Sequence, residues 1–163
     1  MKAFLKWAGG KSRIAKEIKF HFKNRNRLVE PFVGSGALFL NTSFNKYLLC
    51  DTNADLINLY KNLKNFPDKL TAKTKEMFTK KNNTEDQFYI FREKFNKLKS
   101  ADLEKSALFI YLNKHAFNGL CRYNSKGLFN VPYGRYKNPE FPEIKMYNFA
   151  NKSQKATFKC QDF

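Results

Sequence analysis

A chain of 163 residues is long enough for one domain with a real buried core, and 18 Phe and 8 Tyr supply ample apolar area. The net charge of +17 points to an acidic partner, nucleic acid first and an anionic membrane surface second. AT-rich coding also favours Lys, Asn and Phe, so local clustering carries more weight than the total. Cys50, Cys121 and Cys160 stand far apart with no Cys-x-x-Cys pair, which disfavours a zinc site or a disulfide framework and suits a reducing cytosol. The N-terminus lacks a long apolar h-region, so no signal peptide is expected. No apolar run nears about 18 residues, so no membrane span is expected either.

Residues 3–10 lead into Lys11 and Ser12 and a helix predicted over about 13–22, with Ser12 as its cap and Ile14 and Ile18 opening an apolar face. Gly9-Gly10-Lys11-Ser12 looks like the tail of a phosphate-binding P-loop, but the pattern needs glycine where Leu5 stands, and the match fails. Trp7, the single tryptophan, is either a core residue or a flat wall for a ligand beside Gly9 and Gly10.

Residues 28–33 read as a buried strand breaking at Gly34-Ser35-Gly36 into a helix that starts near Ala37. Glycines at such a turn let a ligand approach the backbone, and the helix N-terminus beyond them suits a polar or anionic group. A dinucleotide fingerprint needs a third glycine where Phe39 sits, which disfavours a nicotinamide enzyme. The next strand, 46–50, ends at Asp51, 17 residues past Gly34. An acidic residue there either accepts from ribose hydroxyls or caps the helix opening near Asn53; the glycine loop upstream favours ribose. That helix places Leu56, Leu59, Tyr60 and Leu63 on one face and ends near Asn65.

From Asp68 to about Asn113 the chain is lysine-rich and helical by period, through Phe88, Phe91, Phe95 and Leu98, then a more buried helix with Leu108, Ile110, Tyr111 and Leu112. Asn82 and Asn83 mark the break between helices. This stretch reads as a helical insertion beside the α/β part. In residues 113–137, Ser125-Lys126-Gly127 marks a tight turn between two aromatic arms, a predicted β-hairpin. No acidic residue lies between Lys105 and Pro139, and aromatic, Asn and Arg side chains interleave there. That pattern fits contact with DNA, where bases are read and phosphates neutralised; a solvated basic hairpin is the alternative. His115 has no ligand cluster near it in sequence, so no metal role is expected. The tail carries a short helix over about 144–150 and a strand over 156–160.

Four stretches together resemble the Dam-type, alpha-group DNA adenine-N6 methyltransferases. They are residues 4–11 (FLKWAGGK), 30–36 (EPFVGSG), Asp51 with Asn53, and the run from Phe117-Asn118-Gly119-Leu120-Cys121-Arg122 through Asn130-Val131-Pro132-Tyr133-Gly134-Arg135-Tyr136. The resemblance covers nearly the whole chain. It implies an incomplete, Rossmann-like α/β sheet with a helical and β-hairpin DNA-recognition insertion. It implies S-adenosylmethionine (AdoMet) as cofactor and methyl transfer to the exocyclic amine of adenine in double-stranded DNA, with GATC as the site. By position, Trp7, Ala8, Gly9, Lys11, Phe32, Gly34 and Gly36 line the AdoMet pocket, Asp51 takes the ribose, and Asp162 with Phe163 holds the adenine. Lys6, Phe117, Asn118, Leu120, Arg122, Asn130, Pro132 and Tyr136 contact DNA, with Arg122 a candidate for bidentate pairing to guanine. The implied division is 1–66 for the first part of the catalytic domain, 67–137 for target recognition and 138–163 for the return. A bacterial or phage-encoded, cytoplasmic protein follows, with no metal and no membrane.

One departure is large. The family carries an Asp-Pro-Pro-Tyr motif, and no two prolines are adjacent here. The adenine amine is a poor nucleophile because its lone pair is delocalised into the ring. The Asp and a backbone carbonyl of that motif accept its hydrogens, and the Tyr stacks on the flipped base. The catalytic residues are thus absent from this sequence. The expectation is a truncated or split enzyme, inactive alone, with the remainder on a second chain, or else a non-catalytic remnant that binds AdoMet and DNA. The missing strand should pair beside residues 28–33, leaving a bare hydrophobic edge.

Overall fold

The computed structural model describes residues 1–11, 14, 15, 17, 18, 25–98 and 102–162. The sheet has three parallel strands, β1 (Arg27–Glu30), β2 (Lys46–Asp51) and β3 (Ala156–Cys160), in the order β1-β2-β3. Register aligns Leu28 with Tyr47 and Ala156, and Glu30 with Leu49 and Phe158. These side chains therefore share one face, and all six are buried. β1 is shorter than the expected strand because Pro31 has no N–H to continue the ladder. A single bond, Val33 N–H to Cys50 C=O at 2.8 Å, resumes the pairing beyond it. Among the described residues β1 pairs with β2 alone, and Val29 on its other face is 52% exposed.

Helix α1 (Ala37–Asn41) follows the glycine turn, and α2 (Ala54–Asn65) follows β2. Asn53 Oδ1 caps α2 by accepting Leu56 N–H at 3.0 Å. Leu56, Leu59, Tyr60 and Leu63 are fully buried, as their spacing predicts. Three further helices run before the basic loop over residues 116–136: α3 (Pro67–Lys75), α4 (Glu85–Lys97) and α5 (Leu103–His115). Between α3 and α4 a 3-10 turn, Lys80–Asn82, sits where the Asn pair predicts the break. Phe88 and Phe95 of α4 enter the core, while Phe91 packs only partly against it. From Ser106 to His115 every side chain of α5 is buried, so this helix is wrapped on all sides. Helix α6 (Glu143–Ser153) then leads into β3, longer than the segment its period suggests. Phe149 of α6 locks the layers together: its ring lies 4.5 Å from Tyr60 and 5.3 Å from Phe4.

Two expectations are corrected. The segment after α5 is not a regular β-hairpin. Only the bridges Ala116 to Tyr133 and Tyr123 to Phe129 form among the described residues. A 3-10 turn at Phe117–Gly119, left-handed backbone at Asn118 and Arg135, and Pro132 interrupt the ladder. Side chains replace its bonds: Asn96 bonds both N–H and C=O of Phe129, and Arg92 donates to Val131 C=O. Near the N-terminus, Ile18 N–H bonds Ile14 C=O at 2.9 Å, so one turn of the predicted helix forms there. Ile14 is 46% exposed, so it does not open a buried face. Ser12, its expected cap, and most of residues 13–22 lie outside the described residues.

Candidate functional site

The site is assembled around Gly34. Its N–H donates to Asp51 Oδ2 at 3.0 Å and its C=O accepts the Tyr60 hydroxyl at 2.5 Å. Burial pushes the Tyr60 phenol well above its ordinary range, so it stays a donor. With φ at +47° and Trp7 Cδ1 and Nε1 each 3.0 Å from where a Cβ would stand, position 34 tolerates little but glycine. The indole closes over the loop and stacks near Phe109, 6.5 Å between centroids. Trp7 is thus both a packed residue and a wall of the site.

Asp51 Oδ1 accepts Asn53 N–H at 3.0 Å while Asn53 itself caps α2. The carboxylate therefore is not the helix cap. It crosses from the end of β2 to the glycine loop. An ionised carboxylate has about four acceptor positions, and the two backbone bonds leave room for two hydroxyl donors.

A cavity of about 270 Å³ is lined by Trp7, Ala8, Gly9, Gly10, Lys11, Glu30, Phe32, Gly34 and Asp51, among others. Three stretches far apart in sequence thus meet in one place. Gly36 stands just outside, at the left-handed entry to α1. Asp162 does not line this cavity; it is exposed. It follows Gln161, whose N–H bonds Asp51 C=O at 3.2 Å, which keeps it near the mouth. Phe163 lies outside the described residues.

Two residues escaped the expected set, and the first of them lies on the cavity wall. Glu30 is 3% exposed and its Oε1 accepts Lys11 Nζ at 2.7 Å. Lys11 also donates to Phe32 C=O. Among the described residues Glu30 Oε2 meets no hydrogen-bond geometry, and burial raises the carboxyl pKa against the opposing pull of Lys11 and of the Phe39 backbone. A buried acid in an otherwise apolar strand, just before a proline, was the available signal. Asn113 is the second unanticipated residue; it is 2% exposed and bonds Lys6 N–H at 2.9 Å.

The expected DNA residues gather on the loop after α5. Phe117 is 51% exposed, and Asn118, Arg122 and Pro132 are exposed, with Leu120, Asn130 and Tyr136 half-buried. Asn130 braces Arg122: its Oδ1 accepts Arg122 Nε at 2.9 Å, which aims the guanidinium. Phe117 N–H bonds Pro132 C=O at 2.9 Å. Lys6 Nζ lies 4.0 Å from the centre of the Tyr136 ring, joining the N-terminal segment to this loop. Tyr123 donates to Asp55 Oδ2 at 2.8 Å, and Lys105 reaches Asp55 Oδ1 at 2.9 Å. The loop is thereby pinned to the first turn of α2, two residues past the Asn53 cap. Behind it, Lys114 is buried, and that burial, with Lys145 nearby, pulls its pKa down to about 8.

Among the described residues no helix is long and apolar enough to cross a membrane. No group of three or more His, Cys, Asp or Glu there could hold a metal ion.

Comparison with known proteins places the chain in a family. The model of the D12 class N6 adenine-specific DNA methyltransferases matches residues 7–163. The chain is 49% identical over 162 residues to the DNA adenine methylase of Serratia marcescens, covering 99% of this chain and 60% of that protein. It is 49% identical to the DNA adenine methylase of Escherichia coli K12 and 48% to that of Vibrio cholerae El Tor N16961, with 58% of each relative covered. It thus spans about three fifths of the length of the curated relatives it matches. On the match over residues 7–163, which takes in the cavity and the basic loop alike, the chain belongs to the D12 class of N6 adenine-specific DNA methyltransferases.

Proposed function

We propose that this chain supplies the methyl-donor pocket and the DNA-reading face of an adenine-N6 methyltransferase that uses AdoMet and acts on GATC. The observation that carries this reading is the convergence of residues 7–11, the glycine loop and Asp51 on one cavity.

The residues fit the two ends of AdoMet. Asp51 has acceptor positions for the two ribose hydroxyls. Lys11 and Glu30 form a cation and anion pair at the wall, with Glu30 Oε2 unpartnered. A zwitterionic amino-acid end matches that pair, its ammonium toward Glu30 and its carboxylate toward Lys11. Bound AdoMet supplies an electrophilic methyl group on a sulfonium centre. The tightly packed Trp7 and the Gly34 loop hold the pocket walls in place and exclude water on that side.

On the DNA side, the basic loop from Phe117 to Tyr136 reads the duplex, within a helical and loop insertion over residues 67–137 of a Rossmann-like sheet. Arg122, steadied by Asn130, presents a guanidinium suited to guanine O6 and N7. Lys6, at the junction of loop and pocket, adds a cation beside the same surface. Asp162 follows β3, and it is assigned with Phe163 to the adenine of AdoMet.

The amine-orienting Asp-Pro-Pro-Tyr motif is not among these 163 residues, in which no two prolines are adjacent. Methyl transfer by this chain alone is therefore not expected, and the segment bearing that motif would pair along the open side of β1. The same observation favours a second reading, a non-catalytic module that binds AdoMet and DNA. A titration of Trp7 emission with AdoMet, beside transfer of labelled methyl to a GATC duplex and a scrambled duplex, tests both. Binding without transfer is the expected result. Transfer to GATC alone would overturn the amine-orienting argument, and an unchanged Trp7 signal in a folded chain would overturn the pocket assignment.

A further inference from the structure

Asn113 sits near the C-terminal end of α5, among side chains that pack into the core. Among the described residues its side-chain amide makes no bond within its own helix. Oδ1 accepts Lys6 N–H at 2.9 Å, and Nδ2 donates to Lys6 C=O at 2.8 Å and to Gly119 C=O at 3.1 Å. An Asn amide has two donor hydrogens and one carbonyl oxygen, and all three serve two remote segments here. A leucine of similar size would fill the space without the desolvation cost of a buried amide. The amide is there for what it holds.

What it holds are the two halves of the site. Lys6 immediately precedes Trp7, the first residue of the donor cavity. Gly119 closes the 3-10 turn that begins the DNA-reading loop. The Lys6 stem crosses this turn so closely that a Cβ on Gly119 would lie 2.4 Å from Lys6 Cβ and 2.3 Å from its Cδ. Its ammonium then rests over Tyr136 on the returning arm. One buried amide therefore sets where the start of the pocket stands relative to the turn.

We infer that Asn113 is a positioning residue that couples the two sites, so that duplex DNA and the methyl donor each tighten binding of the other. The coupling rests on the donor pocket and DNA face assigned above. A duplex that engages Lys6 and the Phe117–Gly119 turn stabilises the Asn113 clip. The clip in turn holds residue 6, and with it the strand of chain entering the pocket, in the conformation the donor needs. Linkage then requires the reciprocal effect of the same size.

Trp7 emission reports AdoMet binding, and anisotropy of a fluorescein-labelled GATC duplex reports DNA binding, both on the 163-residue chain. The expected result is an AdoMet Kd at least about fivefold lower in saturating duplex, with the same factor on the duplex Kd in saturating AdoMet. In Asn113→Leu that factor falls below about twofold. Gly119→Ala, which displaces Lys6 at the turn and leaves the Asn113 amide in place, lowers it as well and covers the case in which Asn113→Leu does not fold. Arg122→Ala weakens the duplex but keeps the factor, a separation that a merely structural role for Asn113 would not produce. A factor of one in the wild type with both ligands bound overturns the coupling. So does a full factor retained in the folded variants. A folded wild type that binds neither ligand overturns the assignment of the sites themselves, and the coupling with it.

Discussion

The carboxylate of Asp51 is asked to do two things at once, and Asp51→Asn separates them. Its two oxygens accept Gly34 N–H and Asn53 N–H, each at 3.0 Å. The amide keeps one oxygen, so one backbone N–H stays bonded and the other faces an NH2 group. A hydrogen bond to a charged acceptor contributes roughly 1.5–3 kcal/mol, so folding should weaken by about that amount. A ribose hydroxyl donating to the same carboxylate loses a bond of the same kind. At about 1.4 kcal/mol per tenfold, the AdoMet Kd should rise roughly 10–150-fold. Urea unfolding followed by circular dichroism measures the first effect. Titration of Trp7 emission, under conditions where wild type and variant are both folded, measures the second. Were the variant destabilised while its AdoMet Kd stayed within about threefold of wild type, Asp51 would be a loop anchor with no contact to the ligand.

Three further outcomes follow from individual contacts. Gly34→Ala must hold a methyl group in left-handed backbone against the Trp7 ring at 3.0 Å, so it should cost about 1–2 kcal/mol of stability and shift Trp7 emission; an unshifted spectrum would contradict the close approach. Glu30→Gln keeps an oxygen for Lys11 but removes the free carboxylate oxygen, so it should weaken AdoMet about tenfold or more and leave 5′-methylthioadenosine, which lacks the amino acid, unaffected. Equal losses for both ligands would place Glu30 elsewhere. Burial pulls the His115 pKa down to about 4, while its Nδ1 bonds Tyr111 C=O at 2.8 Å. The unfolded chain takes up that proton near pH 6.5 and the folded one only near pH 4, so stability should fall by up to about 3 kcal/mol as pH drops through that window and be unaffected by this group above it. His115→Gln should flatten that part of a urea-midpoint profile, and an unchanged slope would assign the acid sensitivity to other groups.

The parts of this fold that were legible in sequence are those set by local rules. The face of α2 follows from the spacing of Leu56, Leu59, Tyr60 and Leu63, and its start from Asn53. Asp51 at the tip of β2 and the glycine turn after β1 likewise stand where the pattern puts them. The basic loop after α5 was legible in composition and turn but not in geometry. Proline at 132 and the left-handed Asn118 and Arg135 break the ladder, and the bonds that replace it come from Asn96 and Arg92 on α4, far away in sequence. Asn113 and Glu30 were hidden for a related reason. A single polar residue in an apolar helix or strand looks like a solvent-facing position until its partners are known, and those of Asn113 include Lys6, 107 residues away in the chain.

The strands themselves say which side of the sheet is unfinished by its own logic. β3 reads Ala-Thr-Phe-Lys-Cys, with Ala156 and Phe158 buried and Thr157 and Lys159 exposed, the alternation of a strand with one wet face. A lysine on such a strand also discourages further pairing. β2 reads Tyr-Leu-Leu-Cys from residue 47, a continuous apolar run suited to burial on both faces, and it is the central strand. β1 resembles the centre more than the edge: Leu28 and Val29 are adjacent apolar residues, yet Val29 is half exposed and Phe32 beyond it is 55% exposed. An edge that combines exposed apolar side chains with open backbone groups is the one suited to receive another strand, and Arg27 and Pro31 at its ends confine that pairing to a short segment. Among the described residues the expected bare hydrophobic edge is therefore present but narrow, and it lies beside the cavity wall that Glu30 and Lys11 form. A strand added there would run toward the same pocket mouth as β1 if it is parallel, which on the proposed function is where a group that orients the adenine amine would stand.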